Sequence, residues 1–353
     1  MPQSKKAQPA AVGGHGAAQL SAVTVDSYNL ELTDEEGFIG DRASGRAFRA
    51  ILDELRAQIR ERGDDPLGKK PSRRLKKDFL DGVLTDGDPM AAGIVHGAIE
   101  EFAQQLAGVT RRFLRQKAWR DVERVVIGGG LRQSRVGEIA IGRAAVLLRS
   151  TGVDVEMQPL RHHPDEAGLI GCVHLAPSWI FQGFDSILAV DVGGTNIRCG
   201  VVRLNTHRAR DLSKVDVWKF DLWRHGDESP SRDEAVKRLC KMLRSLGRRA
   251  RRNGYKLAPF VGVGCPGVID GEGAIERGDQ NLPGKWSSSR FNLPHAIREC
   301  IPDIGGHDTV VVLHNDAVVQ GLSAVPTVQD VTRWGVLTIG TGLGNASYTN
   351  RGD

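Results

Sequence analysis

Four clusters of residues in this 353-residue chain have the types and spacing to handle a phosphorylated ligand. The first is Asp191-Val192-Gly193-Gly194-Thr195-Asn196, directly after the apolar run ILAV. A strand that ends in an acidic residue and two glycines brings a carboxylate and bare backbone N–H groups to one place, and Thr195 adds a hydroxyl. A carboxylate beside phosphate-binding amides is best explained by a bridging metal ion, here Mg²⁺ held by Asp191 through water. The same residues could also form a plain acidic hairpin turn. The second cluster, Gly340-Thr341-Gly342-Leu343-Gly344 after WGVLTI, repeats the design. Two such loops can grip one polyphosphate from two sides, a far more specific signal than either loop alone. The third, Val125-Val126-Ile127-Gly128-Gly129-Gly130, makes room for a flat ligand such as adenine, or is a tight turn. The fourth, Asn315-Asp316 after TVVVL, places a carboxylate at a strand's C-terminal end, where it could act as a general base. Asn315 could donate to and accept from hydroxyl groups, or cap the helix that follows, and both roles are compatible. The rigid turns Cys265-Pro266-Gly267 and Asn281-Leu282-Pro283-Gly284 could line a small polar ligand or serve as punctuation. Cys265 has no activating partner in sequence and is expected to pack.

These residues need strands to present them and helices to cover the strands. Phe48, Ile51, Leu52, Leu55 and Ile59 recur at helical spacing, and residues 88–118 read as one long amphipathic helix. Residues 137–149 and 233–253 also read as helices, and 165–176 as a short helix packed closely through Gly168 and Gly171. Strands are expected at 122–127, 153–158, 186–190 and 198–204, in PFVGVG and TVVVL, and on both sides of the Gly340 loop. Alternating strands and helices imply an α/β fold.

Hydrophobic residues make up 40% of the chain and charged residues 26%, an ordinary globular composition, and no apolar run has membrane-spanning length. Residues 1–22 are read as a flexible leader without the apolar core of a signal peptide, so a cytoplasmic location is expected. The net charge of +5 is concentrated in two basic clusters, Lys69 to Lys77 and Arg248 to Arg252. No aromatic residues interleave them, so solvated faces are expected rather than a nucleic-acid surface. Five scattered cysteines suggest neither a disulfide framework nor a zinc site.

Taken together, ILAVDVGGTNIRCGVV, GVGCPGVID, NLPGKW, HNDAVVQGLSA and GVLTIGTGLGNASYTN resemble the motifs of the ROK family of bacterial sugar kinases and repressors, which includes glucokinases. DGDPMAAGIVHGAIEEFAQQLAGVTRRFL, VERVVIGGGL and DEAGLIGCVHLA resemble segments that in the family come last but stand first here. The resemblance implies a two-lobed, actin-like (ribonuclease H-like) ATPase fold with its halves in circularly permuted order. Residues 23–163 and 317–353 would form the larger lobe and 164–316 the smaller. It further implies a homodimer that transfers phosphate from ATP, with Mg²⁺, to a hexose. Asp316 would be the base. Gly193, Gly194, Thr195, Asn196, Gly340, Thr341, Gly342 and Gly344 would hold phosphates, Gly128, Gly129 and Gly130 would border adenosine, and Gly267, Asn281 and Asn315 would meet the sugar. The family's Glu-x-Gly-His sugar segment and zinc-binding cysteines are missing, which puts glucose specificity in doubt and predicts no structural zinc. Ser44-Gly45 matches a family landmark, with Asp41 near the place of a family glutamate, and His15 is the one leader histidine. Weaker readings are a non-catalytic sugar sensor, a polyphosphate-dependent kinase and a disabled kinase.

Overall fold

Apolar runs that lead directly into glycine turns, such as RVVIG, SILAVDV and RWGVLTI, form central strands of two sheets in the computed structural model, which describes residues 14–351. In chain order the main strands are β1 (Val23–Tyr28), β2 (Arg124–Gly128), β3 (Glu156–Pro159), β4 (Ser186–Val192), β5 (Ile197–Arg203), β6 (Asp216–Trp223), β7 (Leu257–Cys265), β8 (Val310–Asn315), β9 (Arg333–Ile339) and β10 (Leu343–Asn350). The helices are α1 (Gly45–Arg60), α2 (Lys77–Asp86), α3 (Pro89–Leu114), α4 (Arg135–Ser150), α5 (Pro164–Gly171), α6 (Arg232–Arg252), α7 (Leu293–Cys300) and α8 (Asp316–Leu322). The protein is thus mixed α/β.

Both five-stranded sheets share one topology. In the second sheet, β4, β5 and β6 form an antiparallel meander, and β7 and β8 add in parallel on the other side of β4. In the first sheet the meander is β9, β10 and β1, and β2 and β3 add in parallel beside β9. The two match strand for strand when the first sheet is read from β9 through β10 to β1, across the two ends of the chain. Val23 pairs with Asn350, and the Arg351 N–H donates to the Ala22 carbonyl at 3.0 Å.

Two short helices lie between the sheets. α5 packs on α8, and one continuous apolar cluster runs from Val126, Trp334 and Tyr348 of the first sheet to Ile187, Phe260 and Val312 of the second. The approach is possible because α5 has no side chain at its contact points. A Cβ on Gly171 would lie 1.7 Å from the Val319 carbonyl oxygen, and one on Gly168 would meet the Asp191 carboxylate. The outer face of the first sheet is covered by α3 and α4, whose apolar stripes bury Phe102, Leu106, Ile141 and Leu148.

Several expectations need revision. Residues 14–22 pack against β8: Gly16 donates to Leu313, His15 Nδ1 accepts from the Leu313 N–H at 3.1 Å, and Leu20 is buried. Residues 1–13 of the expected leader lie outside the described residues. Cys240 and Cys300 form a disulfide, because α6 and α7 meet although sixty residues separate the cysteines. The sequence reading missed β1, β6, α2 and α7. The long helix ends at Leu114 rather than 118. The basic loop after α1 is ordered by one buried arginine, Arg56, which donates to Asp65, Ser72 and the Gly68 and Lys70 carbonyls.

The α5–α8 contact yields a stability prediction. Gly171→Ala forces a methyl group into rigid backbone and should cost about 1–3 kcal/mol, as overpacked cores do. Urea unfolding followed by circular dichroism would measure it, with the solvent-facing Gly142→Ala in α4 as the control, expected to gain about 0.5–1 kcal/mol instead.

Candidate active site

The parallel strands of each sheet end on the same cleft, a cavity of about 780 Å³ between the sheets. In the second sheet the register sets Asp191 beside Gly264 and Asn315 beside Cys265, so three strand ends share one level. In the first, Thr338 lies beside both Gly128 and Gly344, which sets the Gly340 loop next to the Gly128–Gly130 turn.

The two glycine loops touch. Thr195 Oγ1 and Thr341 Oγ1 are 3.0 Å apart. Each loop is held from behind: His225 Nε2 lies 2.8 Å from the Gly193 carbonyl, Gly226 donates to Thr195, Gly45 donates to Gly340, and Arg46 Nε donates to the Thr341 carbonyl at 2.9 Å. Gly194 approaches Asn281 so closely that a Cβ there would sit 2.8 Å from the asparagine's own Cβ. A Cβ on Gly342 would have nothing within 4 Å, and one on Gly340 would meet only the Gly342 carbonyl oxygen at 3.8 Å. Bare, immobilised loops of this kind suit the phosphates of a nucleotide.

Asp316 opens α8 at the floor of the cleft. Burial, reinforced by the charge of Asp191, pushes its carboxyl up to about 7. Asp191 itself is buried, and its Oδ2 accepts from Arg198 Nη1 at 3.1 Å; the two residues are direct cross-strand partners in β4 and β5. Arg198 also donates from Nε to Asp165 of α5 at 2.8 Å. Burial raises the Asp191 pKa, and Arg198 opposes that shift. One carboxylate is therefore clamped and the other left free in the cleft.

Of the sequence-predicted residues, Gly193, Gly194, Thr195, Asn196, Gly340, Thr341, Gly342, Gly344, Gly129, Gly130, Gly267, Asn281 and Asp316 all line this cavity. Gly128 does not; it lies below, against Gln320, Thr338 and Leu160. Asn315 does not either, because its side chain is fully engaged. Its Oδ1 accepts from Ala317 and Val318, and its Nδ2 donates to the Gly267 carbonyl at 2.9 Å. It caps α8 and ties the Gly267 turn to it. His15 lies outside the cavity, against β8 and Gly273. Burial holds the Cys265 thiol well above its ordinary pKa, consistent with packing rather than nucleophilic use.

Sequence reasoning missed other lining residues. Asn29 and Glu31 enter from the segment after β1, beside Asp41, which the family resemblance points to, and Arg46, Arg49 and Lys77 enter from α1 and α2. Asn345 fixes that segment, its amide bonding both the N–H and the carbonyl of Leu30. Lys77, expected on a solvated face, turns inward and donates to the Gly130 carbonyl; burial lowers the pKa of both Lys77 and Arg49. Asn29 Nδ2, Asn196 Oδ1 and Gln320 Oε1, all on residues of the cleft, are buried without hydrogen-bond partners. Such groups are costly unless a ligand satisfies them. The residues fit a nucleotide well. They fit Mg²⁺ less directly: Asp191 is held by Arg198, so it could serve an ion only across water, and among the described residues no group of three or more metal-ligating side chains is assembled.

No family model matches the sequence, and no curated protein matches it. Among solved structures, the chain is similar to the ROK hexokinase of Thermus thermophilus, with 22% identity over 37% of this chain and 35% of the hexokinase and a TM-score of 0.26. It is also similar to the Lmo2764 protein of Listeria monocytogenes, for which N-acetylmannosamine kinase activity is suggested, with 22% identity over 47% of each chain and a TM-score of 0.32. The chain spans less than half the length of either structure.

The clamp on Asp191 can be tested by removing its cation. Arg198→Leu leaves a buried, unpaired carboxylate and should cost about 3–5 kcal/mol at neutral pH. The Asp191 pKa would then rise further, so the loss should shrink as the pH falls and the group is protonated. Thermal melts at pH 5 and pH 8 would check this, with Arg198→Lys expected to recover part of the stability.

Proposed function

We propose that this chain is an ATP-dependent kinase for a sugar hydroxyl, built as a circularly permuted member of the ROK, actin-like class. The observation that carries the reading is the meeting of two glycine loops, through Thr195 and Thr341, above the raised carboxyl of Asp316. ATP with Mg²⁺ would supply the phosphoryl group and neutralise its charge. The chain's own part is to position and to move one proton. Backbone N–H groups of Gly193–Asn196 and Gly340–Gly344 hold the phosphates. Gly129, Gly130 and Leu131 border the nucleoside, with Gly128 supporting them from below. The acceptor sugar lies against Asn281, the Gly267 turn and Asn29. Asn315 acts through the Gly267 carbonyl rather than by direct contact. Asp316 accepts the proton of the attacking hydroxyl, and a pKa close to the working pH suits that task. Arg198 faces Asp191 and opposes the rise in its pKa that burial causes, and Asp191 would reach the donor's metal ion only through water.

The matching strand order of the two sheets supports the permuted reading, with residues 23–163 and 317–353 as one lobe and 164–316 as the other. Glu31 and Asp41 line the cleft, and this sequence lacks the family's Glu-x-Gly-His segment, so the reading names a hexose rather than glucose. A second reading keeps the chemistry and replaces ATP by inorganic polyphosphate. Arg46, Arg49 and Lys77 favour it, since three cations line the cleft near the phosphate loops.

A coupled assay of ADP release with ATP, Mg²⁺ and a hexose panel would test the proposal, with polyphosphate replacing ATP in parallel and sugar phosphate as the product measured. Asp316→Asn should lower turnover by about 10²- to 10⁴-fold while leaving the fold intact. Full activity in that variant would remove Asp316 as the base, and no sugar-dependent phosphate transfer from either donor would remove the kinase reading.

The pH profile is a separate check. Asp316 accepts a proton only when ionised, so kcat/KM should fall about tenfold per pH unit below roughly 7 and level off above it. A flat profile between pH 5.5 and 8 would contradict the raised carboxyl.

A further inference from the structure

A second cavity, of about 230 Å³, lies between the C-terminal half of α3 and the helical turn Ile39–Ala43. Four arginines line it: Arg42 from the turn, and Arg111, Arg112 and Arg115 from the end of α3. Arginines at a helix C-terminus are common and need no ligand, because they offset the helix dipole. Three further observations go beyond that.

The first is the charge balance. Asp34 accepts from Arg42 and pairs with Arg112 at 3.1 Å, and the exposed Glu36 pairs with Arg42. Arg111 and Arg115 have no carboxylate partner among the described residues, so cations outnumber carboxylates around the cavity. The second is a buried donor: Arg111 Nη2 bonds Thr151 Oγ1, yet its Nε is buried with no partner. A buried guanidinium N–H without an acceptor is unfavourable and is relieved by an anion. The third is shape. Gly108 stands on the same face of α3 as Gln105, Arg112 and Arg115, and open space surrounds the position its Cβ would take. The missing side chain forms part of the hollow.

We infer that this cavity is a binding site for a small phosphate-type anion, separate from the cleft. Guanidinium groups from two elements converge on it, the arrangement that recognises phosphate oxygens by paired N–H donors. A phosphate group fills the space beside Gly108 and Gln105, and Arg111 and Arg115 supply charge that no protein carboxylate uses. The site is joined to the cleft through the turn it shares. Arg42 faces the cavity, while Asp41, its neighbour, lines the cleft, and Gly45 a few residues on donates to Gly340 of the phosphate loop.

The test is isothermal titration of the full chain with inorganic phosphate at constant ionic strength, repeated with hexose 6-phosphate. Two variants attack the site differently. Arg115→Gln removes a charge that pairs with no carboxylate, and Gly108→Leu fills the hollow without touching a charge. The expected result is a saturable phosphate-binding component that each variant weakens by about tenfold or more, as loss of a charge-assisted contact does, with far-ultraviolet circular dichroism unchanged and any component from the cleft retained. Tighter binding of hexose 6-phosphate would make a sugar phosphate the occupant, and equal binding free phosphate. Superimposable titrations of the wild type and both variants, or no phosphate binding by the wild type, would overturn the site.

Discussion

The structure depends on how closely α5 and α8 can approach one another. Each sheet is apolar on the face it turns inward, and these two short helices are what that face packs against. Their contact works only without side chains. Gly171 meets the backbone of Val319, Gly262 of β7 meets Cys172, and Gly321 of α8 meets the ring of Tyr348. The consequence reaches the site directly. α8 begins with Asp316 and α5 carries Asp165 at its first turn, so the distance between the helices sets where both carboxylates stand. Close packing gives such a core little freedom to adjust, which is how a fold can hold reacting groups to a fraction of an ångström.

The second constraint is electrostatic. Asp316 lines the cleft, while Asp191 is buried outside the lining yet near enough for its charge to act on Asp316, and two carboxylates so placed resist ionising together. The chain resolves this by unequal partnering. Arg198, opposite Asp191 across the β4–β5 ladder and also bound to Asp165, stabilises one charge. Asp316 receives backbone N–H contacts alone and keeps a raised pKa. Burial raises both carboxyls, but only Asp191 has a cation opposing the rise, so Asp316 is the group left to exchange protons near neutrality. The same strand pairing that builds the sheet performs this division.

Much of this was legible in the sequence, and the pattern of what was not has a physical cause. The inner strands read clearly because buried strands are continuous apolar runs and their glycine ends are distinctive. Nearly every glycine of the two loops lines the cleft for the same reason. Gly168 and Gly171 were readable as a close contact because glycine in a helix otherwise only destabilises it. The outer elements were less visible. β6 has the sequence DVWKFDLW and is half-exposed, so its polar and apolar residues do not separate cleanly. α2 begins inside a basic run that reads as loop, yet Lys77 turns into the cleft. Partnerships across long separations left no trace at all: Asn345 with Leu30, Arg198 with Asp165, and Cys240 with Cys300. Asn315 shows the limit from the other side. Its type and position suit ligand binding, but a cap and a carbonyl consume every polar atom it has.

The strand order of the first sheet, with β1 pairing beside β10, bears on how the cleft is built. β10 begins at the cleft with Leu343 and Gly344 and runs eight residues away from it, about 25 Å of extended chain. β1 returns over six residues, from Val23 beside Asn350 to Tyr28 beside Ala346, and delivers Asn29 to the cavity. β1 and β10 therefore pair Val23 with Asn350 at the edge of the sheet remote from the glycine loops. Whether a hairpin loop joins them or not, the same ladder of hydrogen bonds holds β1 in register, and only the entropy of closing that loop changes. The connection that matters is the one from α5 into β4, since it joins the helix that clamps Arg198 to the strand that carries Asp191. In this chain that connection is covalent and short, Cys172 to Asp185, and nearly all of its apolar side chains are buried or half-buried between the sheets. The floor of the cleft is thus set by a short covalent connection and by the packing of α5 and α8, and the far edge of the first sheet by strand pairing.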